Sequence, residues 1–266
     1  MSLTFTILGC GSSMGVPRVA LGWGDCDPNE PKNRRRRCAL LVERRGPDGV
    51  TRVLVDCTPD MRQQLLDADV DWIDGVFITH EHADHTHGID DLRPLFIHKR
   101  RRLDVYMDEV TAAIMHVRFG YCFKTPPGSQ YPPILTEHRL VPRQPVVING
   151  QGGPIAALPL LQHHGDLTSL GFRFGNVAYS TDLKSLPDES IAELAGLDVW
   201  IVDALRRTPH PSHFHLDETL AWIERIKPKR AILTDMHTDM DYATLRGELP
   251  AHVEPGYDGM QIEAAD

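Results

Sequence analysis

The chain has 266 residues, 41% hydrophobic and 24% charged, a globular composition long enough to bury a core without disulfide staples. Its net charge of −9 argues against a surface built for nucleic acid, although basic runs at 34–37 and 99–102 are candidates for steering anions. Five irregularly spaced cysteines without a C-x-x-C pair, an opening unlike a signal peptide and no apolar run near ~18 residues predict a cytoplasmic protein with no membrane span.

Short apolar, β-branched runs bounded by Gly, Pro and Asp predict strands at 3–8, 39–43 and 52–56. A helix is expected at 61–68 and a strand at 75–79. Further on come a strand at 104–107, a helix at 110–119, and strands at 146–149, 155–161, 169–174 and 177–180. The last third alternates: helix 189–195, strand 199–202, helix 216–226 with Asp217 and Glu218 in its first turn, strand 230–234, helix 242–248 and strand 260–263. This order predicts a mixed α/β protein with layered sheets. No repeat or linker marks a boundary, so one domain spanning 1–266 is expected. Its stretch at about 93–143 is richer in Arg, Pro and Tyr and is a candidate lid insertion, with Arg93, Tyr121, Phe123 and Tyr131 on its rim.

Histidine is the informative bias. Of fourteen, six fall in two tight groups: His80, His82, His85 and His87, then His163 and His164. His80 follows the strand at 75–79 directly, and strand ends are where α/β folds place ligands. Residues two apart in an extended turn point the same way, so His80 and His82 can converge on one ion. Asp84 and His85 would face a second point, while Glu81 points away and His87 falls outside the ligand set. Imidazole and carboxylate together suit zinc or manganese.

His80-x-His82-x-Asp84-His85 resembles the H-x-H-x-D-H signature of the metallo-β-lactamase-fold superfamily. Gly9-Cys10-Gly11-Ser12-Ser13-Met14-Gly15-Val16-Pro17 is similar to the glycine loop of its phosphodiesterase branch, which holds the PhnP-type enzymes and tRNase Z. The resemblance runs nearly end to end. It implies an α/β fold of four layers, an αββα sandwich, with two divalent ions (Zn2+ or Mn2+) at one edge of the sheets.

The same resemblance implies the remaining site. Leu54-Val55-Asp56 is similar to the strand whose aspartate braces the metal loop. His164, followed by the strand Thr168-Ser169-Leu170-Gly171-Phe172, is the next ligand, with His163 as its neighbour. Asp182, closing Tyr179-Ser180-Thr181-Asp182, matches the bridging aspartate, and a carboxylate can serve two ions at once. Where the family reads "LTH", this chain reads Leu233-Thr234-Asp235-Met236-His237. Asp235 is then the expected last ligand, His237 the alternative, and an open position the third choice. A structural zinc on closely spaced cysteines, carried by some PhnP-type proteins, is not expected from Cys26 and Cys38.

Pro209-His210-Pro211-Ser212-His213-Phe214-His215 resembles the family segment whose histidine contacts the scissile phosphate and assists the leaving group. By position that residue is His213, which is assigned to both catalysis and substrate binding, with Asp84 the other catalytic candidate; His215 caps or flanks the next helix. The expected function is a dinuclear metal-dependent hydrolase, a phosphodiesterase for a small cyclic sugar or nucleotide phosphodiester attacked by metal-held hydroxide. The alternatives are a tRNA 3′-processing endonuclease, a lactone, thioester or amide hydrolase, and a binding protein with a degenerate site. The negative charge and the lack of a Gly/Pro-rich basic arm weigh against the nuclease, and the near-complete ligand set against the binding protein. A small phosphodiester is the expected partner, with a homodimer left open.

Overall fold

Strict alternation along the first strands dictates two cores. On β1 (Ser2–Gly9) the side chains of Leu3, Phe5 and Ile7 enter one hydrophobic cluster and Leu8 another. On β2 (Ala39–Gly46), Leu40 and Val42 join the first cluster while Ala39 and Leu41 join the second, and β3 (Gly49–Val55) divides Val53 and Val55 from Leu54 in the same way. A sheet apolar on both faces has to be covered on both. In the computed structural model, which describes residues 2–265, a second sheet covers one face and helices cover the other.

Helix α1 (Met61–Asp67) follows β3, and the chain re-enters the sheet as β4 (Gly75–Phe77). Two short helices, α2 (Ala83–Thr86) and α3 (Arg93–Lys99), precede β5 (Leu103–Met107), helix α4 (Glu109–Phe123) and β6 (Leu135–Arg139). The second sheet takes β7 (Val146–Ile148), β8 (Ile155–His164), β9 (Leu167–Phe174) and β10 (Val177–Ser180). Helix α5 (Asp188–Ala192) leads to β11 (Val199–Asp203), α6 (Leu216–Ile226) to β12 (Arg230–Thr234), and α7 (Tyr242–Glu248) to β13 (Val253–Pro255). The last strand, β14 (Met260–Ala265), returns to the first sheet beside β1.

The orders are β14-β1-β2-β3-β4-β5-β6 and β13-β12-β11-β10-β9-β8-β7. Each sheet changes from antiparallel to parallel pairing, at β3/β4 in the first and β10/β11 in the second. Phe77 stacks on Phe172 at 5.0 Å across the sheet interface, an aromatic weld close below the metal loop. Among the described residues no helix is long and apolar enough to cross a membrane.

Three expectations need correction. The stretch 93–143 is built into the sheet: Leu103, Val105 and Met107 of β5 are buried, β6 extends the edge, and Ala112 and Met115 of α4 enter the second core. The run at 34–37 is not one continuous surface patch either, because extended backbone turns Arg35 inward while Arg34 stays exposed. Arg35 is 2% exposed, donating from Nη2 to the Met240 carbonyl at 2.6 Å and from Nη1 to that of His237 at 3.3 Å. Arg36 and Arg37 pair with Asp67 and Asp60. Lastly, β6 and β13 were not expected as strands, since β6 buries only Leu135 and β13 is three residues with a proline.

Candidate metal centre

The site lies where strands of both sheets end. His80 stands three residues past β4, His164 is the last residue of β8, and Asp182 and Asp235 follow β10 and β12. Asp56, Asp182 and Asp235 each turn away from a strand with positive φ, 70°, 50° and 62°. Aspartate tolerates this left-handed region better than most side-chain-bearing residues. The turn redirects the chain at the strand end and leaves three buried carboxylates around one edge of the sandwich.

His80, His82, His164 and Asp182 offer ligand atoms within 4.8 Å of one another, and so do Asp84, His85 and Asp182. Asp182 is common to both groups, as a bridging ligand requires. Its Oδ2 lies 3.6 Å from His80 Nε2 and 3.5 Å from His164 Nε2, while Oδ1 lies 3.1 Å from His85 Nε2. Donors about 2.0–2.2 Å from a shared ion stand at such separations.

Proton bookkeeping supports the fit. Thr79 Oγ1 gives its hydrogen to Asp56 at 2.9 Å, so it can only accept at 3.0 Å from His80 Nδ1. His85 Nδ1 donates to Asp56 Oδ2 at 2.7 Å, and His164 Nδ1 donates to the Ser212 carbonyl at 2.7 Å. Each of these rings therefore has Nε2 left for the cluster, and that of His80 is buried without a hydrogen-bond partner. Partners of this kind fix the tautomer a metal ligand needs.

Charge follows the same layout. Burial would lower His85, but the carboxylates of Asp182, Asp84 and Asp56 outweigh it and hold the ring well above the ordinary imidazole range. They favour positive charge at Nε2, proton or ion alike. His80 goes the other way, driven well down by burial and by His85 beside it.

His213 stands beside the cluster, its Nε2 3.8 Å from Asp182 Oδ2. Its Nδ1 donates to Asp203 Oδ2 at 2.8 Å, and Asp235 Oδ2 lies 3.0 Å from the same nitrogen. Burial opposes its charge, yet Asp203, then Asp235 and Asp182, push it up to about 12. Asp203 itself is raised by burial to about 6, with His213 pulling the other way.

Of the residues expected from sequence, His80, His82, Asp84, His85, His164, Asp182, Asp235 and His213 are brought together. Asp56 sits behind His85 as the expected brace. His163 is exposed while His164 is buried, the alternation of a strand. His87 is exposed and rests on Phe119. His215 is the N-cap residue of α6 and pairs with Glu218 at 2.7 Å. His237 lines the pocket above the centre but joins none of the ligand groups. That pocket, about 480 Å³, is walled by Ser12, Met14, Arg18, Leu205, Arg206 and His210, and by no residue from 93–143.

Two residues escaped the sequence reading. Asp203 ends an apolar strand as Ile201-Val202-Asp203, the pattern that identified Asp56 in Leu54-Val55-Asp56, so the signal was present. Arg18 carried no such mark. It sits at the base of a hairpin closed by reciprocal backbone bonds with Gly22, 2.8 and 2.9 Å, and its Nε and Nη2 are covered without a hydrogen-bond partner.

Residues 51–236 match a family model described as a beta-lactamase superfamily domain. A crystal structure described as a new diphosphatase from the PhnP family has a TM-score of 0.88 and 34% identity, covering 99% of this chain and 98% of that one. A Porphyromonas gingivalis protein named octanoyltransferase is 34% identical over 262 residues, 96% of this chain and 50% of that protein; the chain spans about half the length of that relative. Zinc-bound PqqB from Methylobacterium extorquens shares the fold, with a TM-score of 0.72 at 16% identity over 97% of this chain and 99% of that one.

Proposed function

The chain belongs to the metallo-β-lactamase-fold superfamily and, within it, to the PhnP family, and on that premise we propose that it is a dinuclear metal-dependent phosphodiesterase for a small cyclic sugar or nucleotide phosphodiester. His80, His82, His164 and Asp182 would hold one ion, with Asp84, His85 and Asp182 at the other. When bound, such ions supply Lewis acidity and lower the pKa of water.

The observation that carries the phosphate reading is the setting of His213. Asp203 fixes its Nδ1, so Nε2 is the nitrogen left for the pocket. A protonated imidazole there can neutralise charge building on a phosphoryl oxygen and then release its proton to the leaving group. A ring held at about 12 gives up its proton reluctantly, but an alkoxide is more basic still. Arg18 and Arg206 line the same wall, which suits an anionic substrate and is not needed for a neutral lactone. The pocket volume of about 480 Å³ suits one small ester.

The name of the Porphyromonas gingivalis relative favours a second reading, hydrolysis of an acyl thioester at the same centre. An eight-carbon chain would want an apolar wall, and here Met14 and Leu205 are the apolar side chains lining the pocket. The deciding assay offers the metal-loaded protein bis-p-nitrophenyl phosphate, a 2′,3′-cyclic nucleotide, a cyclic ribose phosphate, a lactone and octanoyl thioester. Turnover of the phosphodiesters is expected; turnover confined to the lactone or thioester overturns the proposal. His213→Ala should lower kcat roughly 10²–10⁴-fold with metal content intact. Loss of metal instead would make His213 a ligand.

A further inference from the structure

Asp235 stands where the superfamily signature has histidine, and its surroundings give it a different task. We propose that Asp235 positions His213 and is not a ligand of the second ion, which is left with Asp84, His85 and Asp182. Three separate contacts carry this.

The first is reach. Asp84, His85 and Asp182 gather within 4.8 Å of one another, as do Asp182, His213 and Asp235, and the two triads share only Asp182. Donors to a single ion, each about 2.0–2.2 Å away, stand no more than about 4.4 Å apart. One ion therefore cannot hold all four as they stand. An aspartate oxygen also ends closer to its backbone than the far nitrogen of a histidine, so the replacement shortens the arm that would have reached the ion.

The second is occupation. Asp235 Oδ1 is turned to the Cys38 thiol, whose Sγ stands 3.7 Å from it, and the backbone at Asp235 is set by its φ of 62°. The third is the neighbour of the other oxygen. Asp235 Oδ2 lies 3.0 Å from His213 Nδ1 yet forms no hydrogen bond, because that N–H is directed at Asp203. Asp203, held in turn by the Leu183 amide at 3.0 Å, aligns the ring; Asp235 sets a second carboxyl oxygen beside Nδ1 and so disfavours a ring flip that would bring a C–H there. With histidine at 235 that second oxygen would be missing.

The inference rests on His213 being the proton donor, and the experiment separates the two. Native protein, Asp235→Asn and Asp84→Asn are stripped, reloaded with Zn2+ or Mn2+, and the bound ions counted by elemental analysis and calorimetric titration. Asp235→Asn should keep both ions with affinities within about threefold of native, while Asp84→Asn loses one or weakens it about 10–100-fold. On 2′,3′-cyclic AMP, whose leaving group is an alkoxide, Asp235→Asn should lose about tenfold or more in kcat at little change in KM. On bis-p-nitrophenyl phosphate, whose nitrophenolate needs no proton, the loss should stay under about threefold. Asp235→His, with its longer arm, should tighten the second ion and still lose turnover on the cyclic substrate. An ion missing from Asp235→Asn overturns the proposal, and so do equal losses on both diesters. If native protein cleaves neither diester, the phosphodiesterase reading falls, while the ion count still decides whether Asp235 is a ligand.

Discussion

Asp56 shows how much a single side chain can carry. It ends β3 in the left-handed region at φ 70°, accepts the Thr79 amide at 2.8 Å and its hydroxyl at 2.9 Å, and receives His85 Nδ1 at 2.7 Å, all fully buried. Asp56→Ala would leave those donors unpaired. We expect a stability loss of about 2–4 kcal/mol in urea denaturation and an affinity loss of about 10–100-fold for the ion at His85 in calorimetry. Full retention of that affinity would mean the brace is irrelevant to the centre. Asp258 permits a pH test away from the metal ligands. Burial raises its carboxyl to about 7, against which the Arg36 amide at 2.8 Å and the Cys10 amide at 3.1 Å pull only partly. A carboxyl raised on folding binds more protons in the native state, so its contribution is intact at low pH and is lost as pH rises from about 4 through 7. The stability of native protein relative to Asp258→Asn should therefore fall across that window. A difference that stays flat, or that rises with pH, would refute the assignment. At this scale the candidate ligands were legible because the H-x-H-x-D-H spacing is dense and local. Arg18 was not, since its place in the pocket wall depends on a hairpin closing around it and on what fails to approach its guanidinium.

At the scale of elements, the legible parts were those with buried faces. The strand patterns at 3–8, 39–43 and 230–234 match β1, β2 and β12 to within a few residues. Helix α3 escaped because it buries no residue fully, and α2 because four residues carry no period. Yet α2 bears Asp84 and His85, so what fixes it matters. The answer is close backbone contact: the Gly88 amide donates to the Cys57 carbonyl at 2.8 Å, and a Cβ at Gly88 would come within 1.9 Å of the Thr58 carbonyl oxygen. Its φ of −90° would suit any residue, so space alone demands glycine here. On the other side, α4 touches the loop through Arg118, which donates to the Glu81 carbonyl. Gly88→Ala must push the metal loop off the β3 turn. The expected cost is about 1–3 kcal/mol in thermal or urea unfolding, together with fewer ions per chain after reloading. A variant that unfolds earlier but still loads both ions would separate the packing of α2 from its ligand role.

Across the whole molecule, the centre joins two sheets that share a core but no strand. His80, His82, Asp84 and His85 come from the turn after β4 of the first sheet, while His164 and Asp182 end β8 and β10 of the second. Below them the interface is apolar, from Phe77 on one side to Phe172 on the other, and needs no ion to hold. At the edge the balance differs. Asp56, Asp182 and Asp235 are all buried there, and burial together with the charges of Asp182 and Asp203 raises Asp235 well above the ordinary carboxylate range. Cations bound between the sheets would relieve that repulsion, so binding and folding are linked. An ion at 100 times its Kd stabilises by about 2.7 kcal/mol, and two by roughly twice that. At about 2–4 °C per kcal/mol for a chain near this size, removing both with a chelator should lower Tm by on the order of 10 °C. Scanning calorimetry of loaded and chelated protein measures it directly. The same experiment on His80→Ala, which leaves Asp84, His85 and Asp182 in place, should show about half the shift. A native Tm indifferent to chelation would mean that the sandwich holds this edge together unaided and that the histidine–aspartate cluster is not a linked metal site.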